Sequence, residues 1–363
     1  MHVALDYLPA TTHAPGVGRY LRELVRAVAQ LDERPNLTLF EVGGEARTIG
    51  EPHLGLAGIE RIRRIDRRLP RRLVGLAGRV GLGADRICGA PDLFQRALPG
   101  TPPVSRSPVV RGVAEMPLPG SPDEAAFRAT LDAERAWLTF STAATEALVE
   151  RFDRRAESVF QVTVGAEHWA RALPEPPPRD DPPTLVVLGA VRTDRFPDLV
   201  VDAFDRLCEE LGHARLVFCG RFGDAAQHLG RRLAFSSGRS RIRWIDQPVE
   251  ADLPGLVARA SALVHLATNE LTPVTPLEAL AVGTPVVVSD LPALREALGE
   301  EAWYVPTPPS LRHRKALPGQ LAEAVASASD PAACERRRAL AGRFTWNRCA
   351  RSTVQAWRAI AAD

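Results

Sequence analysis

The sequence predicts an α/β protein built from two parallel-sheet domains. Three observations carry that expectation. After residue 183, short continuous apolar runs alternate with segments of helical period, the pattern of a parallel sheet covered on both faces. The chain has 363 residues, roughly two domains at about 150 residues each. Residues 173–183 hold six prolines in eleven positions, which excludes a helix or a central strand there and reads as a linker. The expected organisation is a first domain over residues 1–172, the linker over 173–183, a second domain over 184–343 and a closing helix over 344–363.

Taken in order, Val3-Ala4-Leu5 reads as a strand, and Leu21, Leu24, Val25 and Val28 form the apolar stripe of a helix. Leu37 to Val42, Val109-Val110 and Leu138 to Phe140 read as strands, and Ala143 to Phe152 as a helix. Residues 99–122 otherwise read as loop. In the second half, Thr184 to Leu188 is a buried strand ending at Gly189, followed by a helix over Asp198 to Leu211. Strands follow at Leu216 to Gly220 and Arg241 to Ile245, a helix at Leu253 to Ala260, and a strand at Ala262 to Leu266. A helix at Pro276 to Val282 and a strand at Pro285 to Ser289 complete the pattern. Thr345 to Ala361 reads as one helix with Trp346, Cys349, Val354 and Trp357 on its apolar side. Ligands of such sheets sit beyond the carboxyl ends of the strands.

Composition narrows the class. The chain is 45% hydrophobic and 25% charged, which excludes a disordered, collagenous or disulfide-stapled protein. No apolar run approaches the roughly 20 residues that span a bilayer. The N-terminus has no basic region followed by an apolar core, so no secretory signal is expected. The five cysteines are scattered without metal-ligand spacing, which suits a reducing cytoplasm. Lys315 is the only lysine among 46 basic residues. This arginine skew, with 31 prolines, suggests a GC-rich bacterial coding bias. The 44 acidic residues nearly balance the bases, so nucleic-acid binding is not implied. There is no Asp-x-Asp motif, no Gly-x-Ser-x-Gly elbow and no Walker loop, so no metal-bridged donor is expected.

The segment with the most chemistry is Glu270-Leu271-Thr272-Pro273-Val274-Thr275-Pro276-Leu277-Glu278. It follows a buried strand and opens a helix. Thr275 suits an N-cap and Pro276 the first helical turn. A helix start offers N–H groups and a positive dipole to a phosphate. The flanking carboxylates of Glu270 and Glu278 suit sugar hydroxyls better than phosphate. The same spacing also fits an ordinary strand-to-helix connection.

Glu270 through Asp290 resembles the E-x7-E signature of retaining, group-1 (family 4) glycosyltransferases, whose GT-B architecture has two Rossmann-like domains facing a cleft. The similarity extends to Gly16-Val17-Gly18-Arg19-Tyr20, which looks like the family's glycine loop. It also extends to Leu188-Gly189 through Phe204, like the opening of the donor domain, and to Phe344-Thr345-Trp346, like the start of the closing helix that crosses back to the first domain. The resemblance implies a nucleotide-diphosphate sugar donor, a hydroxyl acceptor (glycan, lipid-linked or small molecule) and retention at the anomeric carbon. It implies no cofactor and no metal. By position, Glu270 would bind hydroxyls of the donor sugar and Glu278 the ribose. Backbone groups near Val274 and Thr275 would face the diphosphate. Gly189 would lie in the donor loop, and Gly16 and Gly18 would let the first loop approach the donor phosphates and the acceptor closely, where a side chain would clash. Arg195, with Arg192 nearby, would stabilise the leaving diphosphate.

Some positions depart from the family. Leu271 stands where many members have glycine; Pro273 fits the family subset written E-G-x-P but has no N–H. Ala114 and Glu115 align with a common His-Asp pair. These departures motivate a second expectation, a GT-B-fold binding or regulatory subunit that supports an active partner. A non-transferase of the same fold, such as a nucleotide-sugar epimerase, is a third, against which the signature argues. His13, His168 and His265 read as structural. Seven arginines fall between Arg61 and Arg72, with Ile62, Ile65, Leu69 and Leu73 at near-helical spacing. A basic amphipathic segment over residues 61–73 would give peripheral contact with an anionic membrane. The solvated-face reading stands beside it. The expected location is the cytoplasm, at the inner face of the membrane if that contact is made.

Overall fold

The computed structural model describes residues 1–12, 16–44, 49, 54–69, 73, 83–307 and 311–362. The chain divides into two compact units, Met1–Gly165 with Trp346–Asp363, and Ala166–Thr345. That division falls ahead of the proline-rich stretch, so residues 166–183 belong with the second unit and not with a first domain ending at 172.

In the first unit, seven strands pair in parallel: β1 (His2–Asp6), β2 (Asn36–Gly43), β3 (Ile62–Arg68), β4 (Leu93–Arg96), β5 (Val109–Gly112), β6 (Ala136–Thr139) and β7 (Val159–Gln161), in the order β3-β2-β1-β4-β5-β6-β7. Helix α1 (Val17–Ala29) follows β1 and carries the expected apolar stripe, with Leu21, Leu24, Val25 and Val28 buried. The second unit holds β8 (Thr184–Leu188), β9 (Arg215–Cys219), β10 (Ile242–Ile245), β11 (Ala262–His265), β12 (Val286–Asp290) and β13 (Ala302–Pro306), all parallel, in the order β10-β9-β8-β11-β12-β13. The helices that bear on its loops are α2 (Glu167–Ala172), α3 (Pro197–Leu211), α4 (Leu253–Arg259) and α5 (Val274–Ala281). Val200, Phe204 and Leu207 of α3 pack on Leu216 and Phe218 of β9 and Val264 of β11, an apolar core that fixes the sheet beneath the loops.

The closing helix α6 (Trp346–Ala362) is part of the first unit. Its two tryptophans are buried. Trp357 donates its indole N–H to Gln95 at 2.7 Å, and Trp346 lies against Tyr20 of α1 with ring centroids 5.9 Å apart. Gly165 has no side chain for a steric reason: a Cβ there would lie 2.5 Å from the Trp346 ring.

The arginine-rich segment is not the amphipathic helix its spacing suggests. Residues 62–68 form β3, an edge strand whose register runs from Leu37↔Ile62 to Gly43↔Arg68. Ile65 packs against a buried cluster containing Phe40 and Phe94, and Arg64 forks onto the Glu41 carboxylate at 2.6 and 2.7 Å. Charge along an exposed edge discourages pairing with other chains, which is sufficient reason for arginines there. Residues 70–72 of that segment lie outside the described residues, as does His13.

The proline-rich stretch forms neither helix nor strand. Arg179 pins it to the second unit. Its guanidinium donates to the carbonyls of Ala260 (2.9 Å), Gly283 (2.7 Å) and Ala328 (3.2 Å), to the carbonyl of Ala258, and to Thr284 Oγ1 (2.8 Å). Ala258, Ala260 and Gly283 lie at the carboxyl ends of α4 and α5, where orphan carbonyls need donors and a cation suits the helix dipole. Arg179→Ala is expected to cost about 3 kcal/mol through the stranded carbonyls, a fall in Tm of roughly 6–12 °C. A fall of less than about 2 °C in thermal unfolding would mean that water serves those carbonyls equally well.

Candidate functional site

The strand order of the second unit reverses between β8 and β11. Chains leaving adjacent strands at that point turn opposite ways and open a crevice at the carboxyl edge. The loops after β8 and β11 meet there, and a direct staple joins them. Thr268 donates its backbone N–H (2.8 Å) and its hydroxyl (3.2 Å) to the carbonyl of Asp194.

The first of these loops leaves β8 at Gly189 and runs beside the loop after β9. Gly189 N–H bonds to Cys219 O at 2.9 Å and Val191 N–H to Arg221 O at 3.1 Å. The two chains pass so closely that a Cβ on Gly220 would lie 2.0 Å from the Gly189 carbonyl oxygen. A short 3-10 turn, Thr193–Arg195, then delivers the arginine. Thr193 is held by its N–H (2.9 Å) and hydroxyl (3.1 Å) on the Asp224 carboxylate. Those bonds, the backbone one foremost, keep Asp224 below the usual carboxylate range.

Arg195 crosses to the second loop and donates to Glu270 Oε2 at 3.0 Å. His265, the last residue of β11, places Nε2 3.1 Å from the same oxygen. Glu270 is 8% exposed, and its other oxygen accepts the Thr272 N–H at 3.4 Å. Burial alone would raise the Glu270 pKa, but the His265 hydrogen bond and the Arg195 charge outweigh it, and the carboxyl is held below its ordinary value. Burial also dominates at His265, whose pKa is lowered despite the facing carboxylate. The imidazole is therefore neutral at pH 7 beside an ionised Glu270. The carboxylate has no hydrogen to give, so the hydrogen must sit on Nε2. Arg195 and His265 then converge as two donors on one oxygen, and their own 3.1 Å approach is a by-product of that convergence. The resemblance in sequence points to Glu270 and Arg195 but misses His265. The available signal is its place, at a strand's carboxyl end five residues before the glutamate.

The other expected residues divide. Arg192 is a neighbour in sequence, but its guanidinium is forked onto Asp194 at 2.9 and 2.8 Å. Helix α5 begins at Val274 with Pro273 in the N-cap position and no side-chain cap. Thr275 is thus inside the first turn and does not cap. Pro273 and Pro276 supply no N–H, and the Val274 N–H is bonded to Thr272 O at 2.9 Å. The start of α5 is therefore poorer in donors for a phosphate than the sequence suggests. Glu278 is wholly buried, and its Oε1 lies 3.2 Å from His168 Nε2 on α2, a second histidine that reads as merely structural in the sequence. Gly16 and Gly18 belong to the first unit, at the start of α1. Gly16 has φ +76° and open space where a Cβ would stand, so conformation rather than a clash asks for glycine there. Ala114 and Glu115 lie in the loop after β5, with Glu115 exposed. Among the described residues no cluster of three or more His, Cys, Asp or Glu is arranged to hold a metal ion, and no helix is long and apolar enough to cross a membrane.

Residues 171–325 match the family described as glycosyl transferases group 1. The second unit belongs to the group 1 glycosyl transferases. The Arg195–Glu270–His265 cluster lies inside the matched stretch. A curated relative, the O-antigen chain mannosyltransferase RfbU of Salmonella typhimurium, is 32% identical over 90 residues, so the match spans 25% of each chain. Sucrose-phosphate synthase from Thermosynechococcus elongatus superposes with a TM-score of 0.74 at 15% identity, covering 100% of this chain and 99% of that one. Anabaena HepE in complex with UDP-glucose gives 0.69 at 14% identity, covering 98% and 99%. These likenesses establish the fold of the chain as GT-B, with two Rossmann-like units.

Both shifted groups of the cluster bind fewer protons folded than unfolded, so their contribution to stability rises with pH. The His265 share is complete above its unfolded value of about 6.5 and is drawn down as pH falls below it; the Glu270 share is drawn down below about 4.3. Thermal unfolding between pH 7 and pH 5 is expected to show Tm falling with acidity, and His265→Asn is expected to flatten that slope. An unchanged slope in the variant would place the acid sensitivity elsewhere.

Proposed function

We propose that this protein transfers a glycosyl group from a nucleotide-diphosphate sugar to an acceptor hydroxyl, with retention at the anomeric carbon. The observation that carries the reading is the convergence of Arg195 and His265 on the buried Glu270 carboxylate at the strand-order reversal of a group 1 glycosyl transferase unit. In this reading Glu270 accepts hydrogen bonds from hydroxyls of the donor sugar. His265 fixes the plane of that carboxylate. Arg195 draws the leaving diphosphate and stabilises the negative charge that develops on it. The fixed cation takes the part that a metal ion has in other transferases, so activity is expected to survive chelation by EDTA. The protein's remaining contribution is to orient donor and acceptor.

One feature favours a second reading, a catalytically impaired binding or regulatory subunit that supports an active partner: Glu278, expected at the ribose of the donor, is wholly buried against His168. Turnover separates the two. Purified protein is to be screened with UDP-, GDP-, dTDP-, ADP- and CMP-linked sugars for nucleotide release and transfer. With the matching donor, Glu270→Gln and Arg195→Ala are each expected to lower kcat/KM by about 100-fold or more, with the fold retained by circular dichroism. Nucleotide binding without release or transfer would support the second reading, and variants as active as the parent would remove the cluster from the mechanism.

A further inference from the structure

One cavity of the first unit has no part in the chemistry described above. It encloses about 670 Å³, within the roughly 300–1,000 Å³ of small-molecule sites. Helix α1 leaves the carboxyl end of β1 and returns alongside the sheet, so its last turn lies at the amino edge. There Asn36 opens β2 by donating its N–H to Met1 O at 3.0 Å. That turn forms one wall of the cavity with Ala29 and Gln30, and residues 55–60, just ahead of β3, form the other. The length of α1 places the cavity about 20 Å from Gly16, at about 1.5 Å per residue.

The lining is polar, planar and neutral overall. Arg34 donates Nη1 to Ala29 O, the end of α1, at 2.7 Å, and its Nε is buried with no hydrogen-bond partner among the described residues. Arg26 donates Nε to Leu54 O at 3.0 Å, and its charge is met by Glu23. The remaining carboxylate, Glu60, balances Arg34 in number, and Gln30 adds an exposed amide. Ala29 and Ile59 supply the apolar part. Gly58 has φ +74°, and a Cβ there would meet nothing within 4 Å, so that stretch of wall is bare backbone.

We propose that this cavity binds a neutral saccharide, at a site separate from the donor crevice. The inference stands on these residues alone and not on the donor reading. The carboxyl end of α1 carries the negative end of the helix dipole, and with Glu60 in the lining it disfavours a phosphate or a carboxylate. A guanidinium, an amide and a carboxylate each present paired hydrogen-bonding atoms, a match for adjacent hydroxyls on a sugar ring. Ala29 and Ile59 suit the ring's C–H face. A buried donor left unmade is costly, and a ligand hydroxyl would complete Arg34 Nε.

The test is calorimetric titration of the intact protein, without nucleotide. The probes are the methyl glycosides of mannose, glucose, galactose and N-acetylglucosamine, and the disaccharides mannobiose, maltose, lactose and chitobiose. Saturable binding of at least one probe is expected. A disaccharide that binds more tightly than its methyl glycoside identifies a glycan chain as the ligand, and equal affinities identify a free sugar. For the best probe, Arg34→Ala is expected to weaken affinity by about tenfold or more. Gln30→Trp, which fills the cavity from an exposed position, is expected to abolish binding at unchanged Tm. Binding retained in Gln30→Trp, a loss there that comes only with a lowered Tm, or no binding of any probe to the parent protein would each overturn the proposal.

Discussion

Glu270 is an ionised carboxylate buried where two loops meet, and it must be compensated. An unpaired charge in that position would cost several kcal/mol or would take up a proton. Compensation comes from a cation on the loop after β8 and an imidazole at the end of β11. That requirement links parts of the chain that are 75 residues apart. The 3-10 turn that aims Arg195, the Thr268 staple to Asp194 and the close passage of Gly220 against Gly189 all serve to bring those donors to one oxygen.

The same requirement explains the electrostatics. A neutral histidine and a cationic arginine beside one carboxylate leave the cluster with no net charge, which suits a dry crevice. An incoming diphosphate would shift part of the arginine's interaction away from Glu270, and the carboxylate would turn to hydroxyl donors instead. On the proposed reading, His265 would keep the carboxylate oriented through that exchange, because its hydrogen bond to Glu270 is separate from the arginine's. Glu278 is different in kind. It is sealed against α2, which begins one residue after the chain enters the second unit.

Much of the fold is legible because buried parallel strands leave short continuous apolar runs. Thr184–Leu188, Arg215–Cys219, Ala262–His265 and Val286–Asp290 are all visible in that way. The strands that escape notice lack the pattern. β7 has only three residues, and β13 is half-buried, with Trp303 and Tyr304 partly exposed. β3 misleads because its arginines and isoleucines mimic a helical period, while its structure comes from backbone pairing to β2 that no local pattern reveals. At the site, resemblance locates Glu270 and Arg195, but two prolines around the first turn of α5 disguise where it starts. Proline is tolerated throughout a first turn, not only at its first position. The two histidines are illegible for a plainer reason. Their meaning lies in what they face, and that is set by tertiary packing.

The most direct test of the account is a crystal structure of the protein with the nucleoside diphosphate that binds it best. The diphosphate is expected within hydrogen-bond reach of Arg195, at the carboxyl ends of β8 and β11, with His265 still donating to Glu270. A nucleotide bound away from that edge, or one that leaves Arg195 untouched, would contradict it.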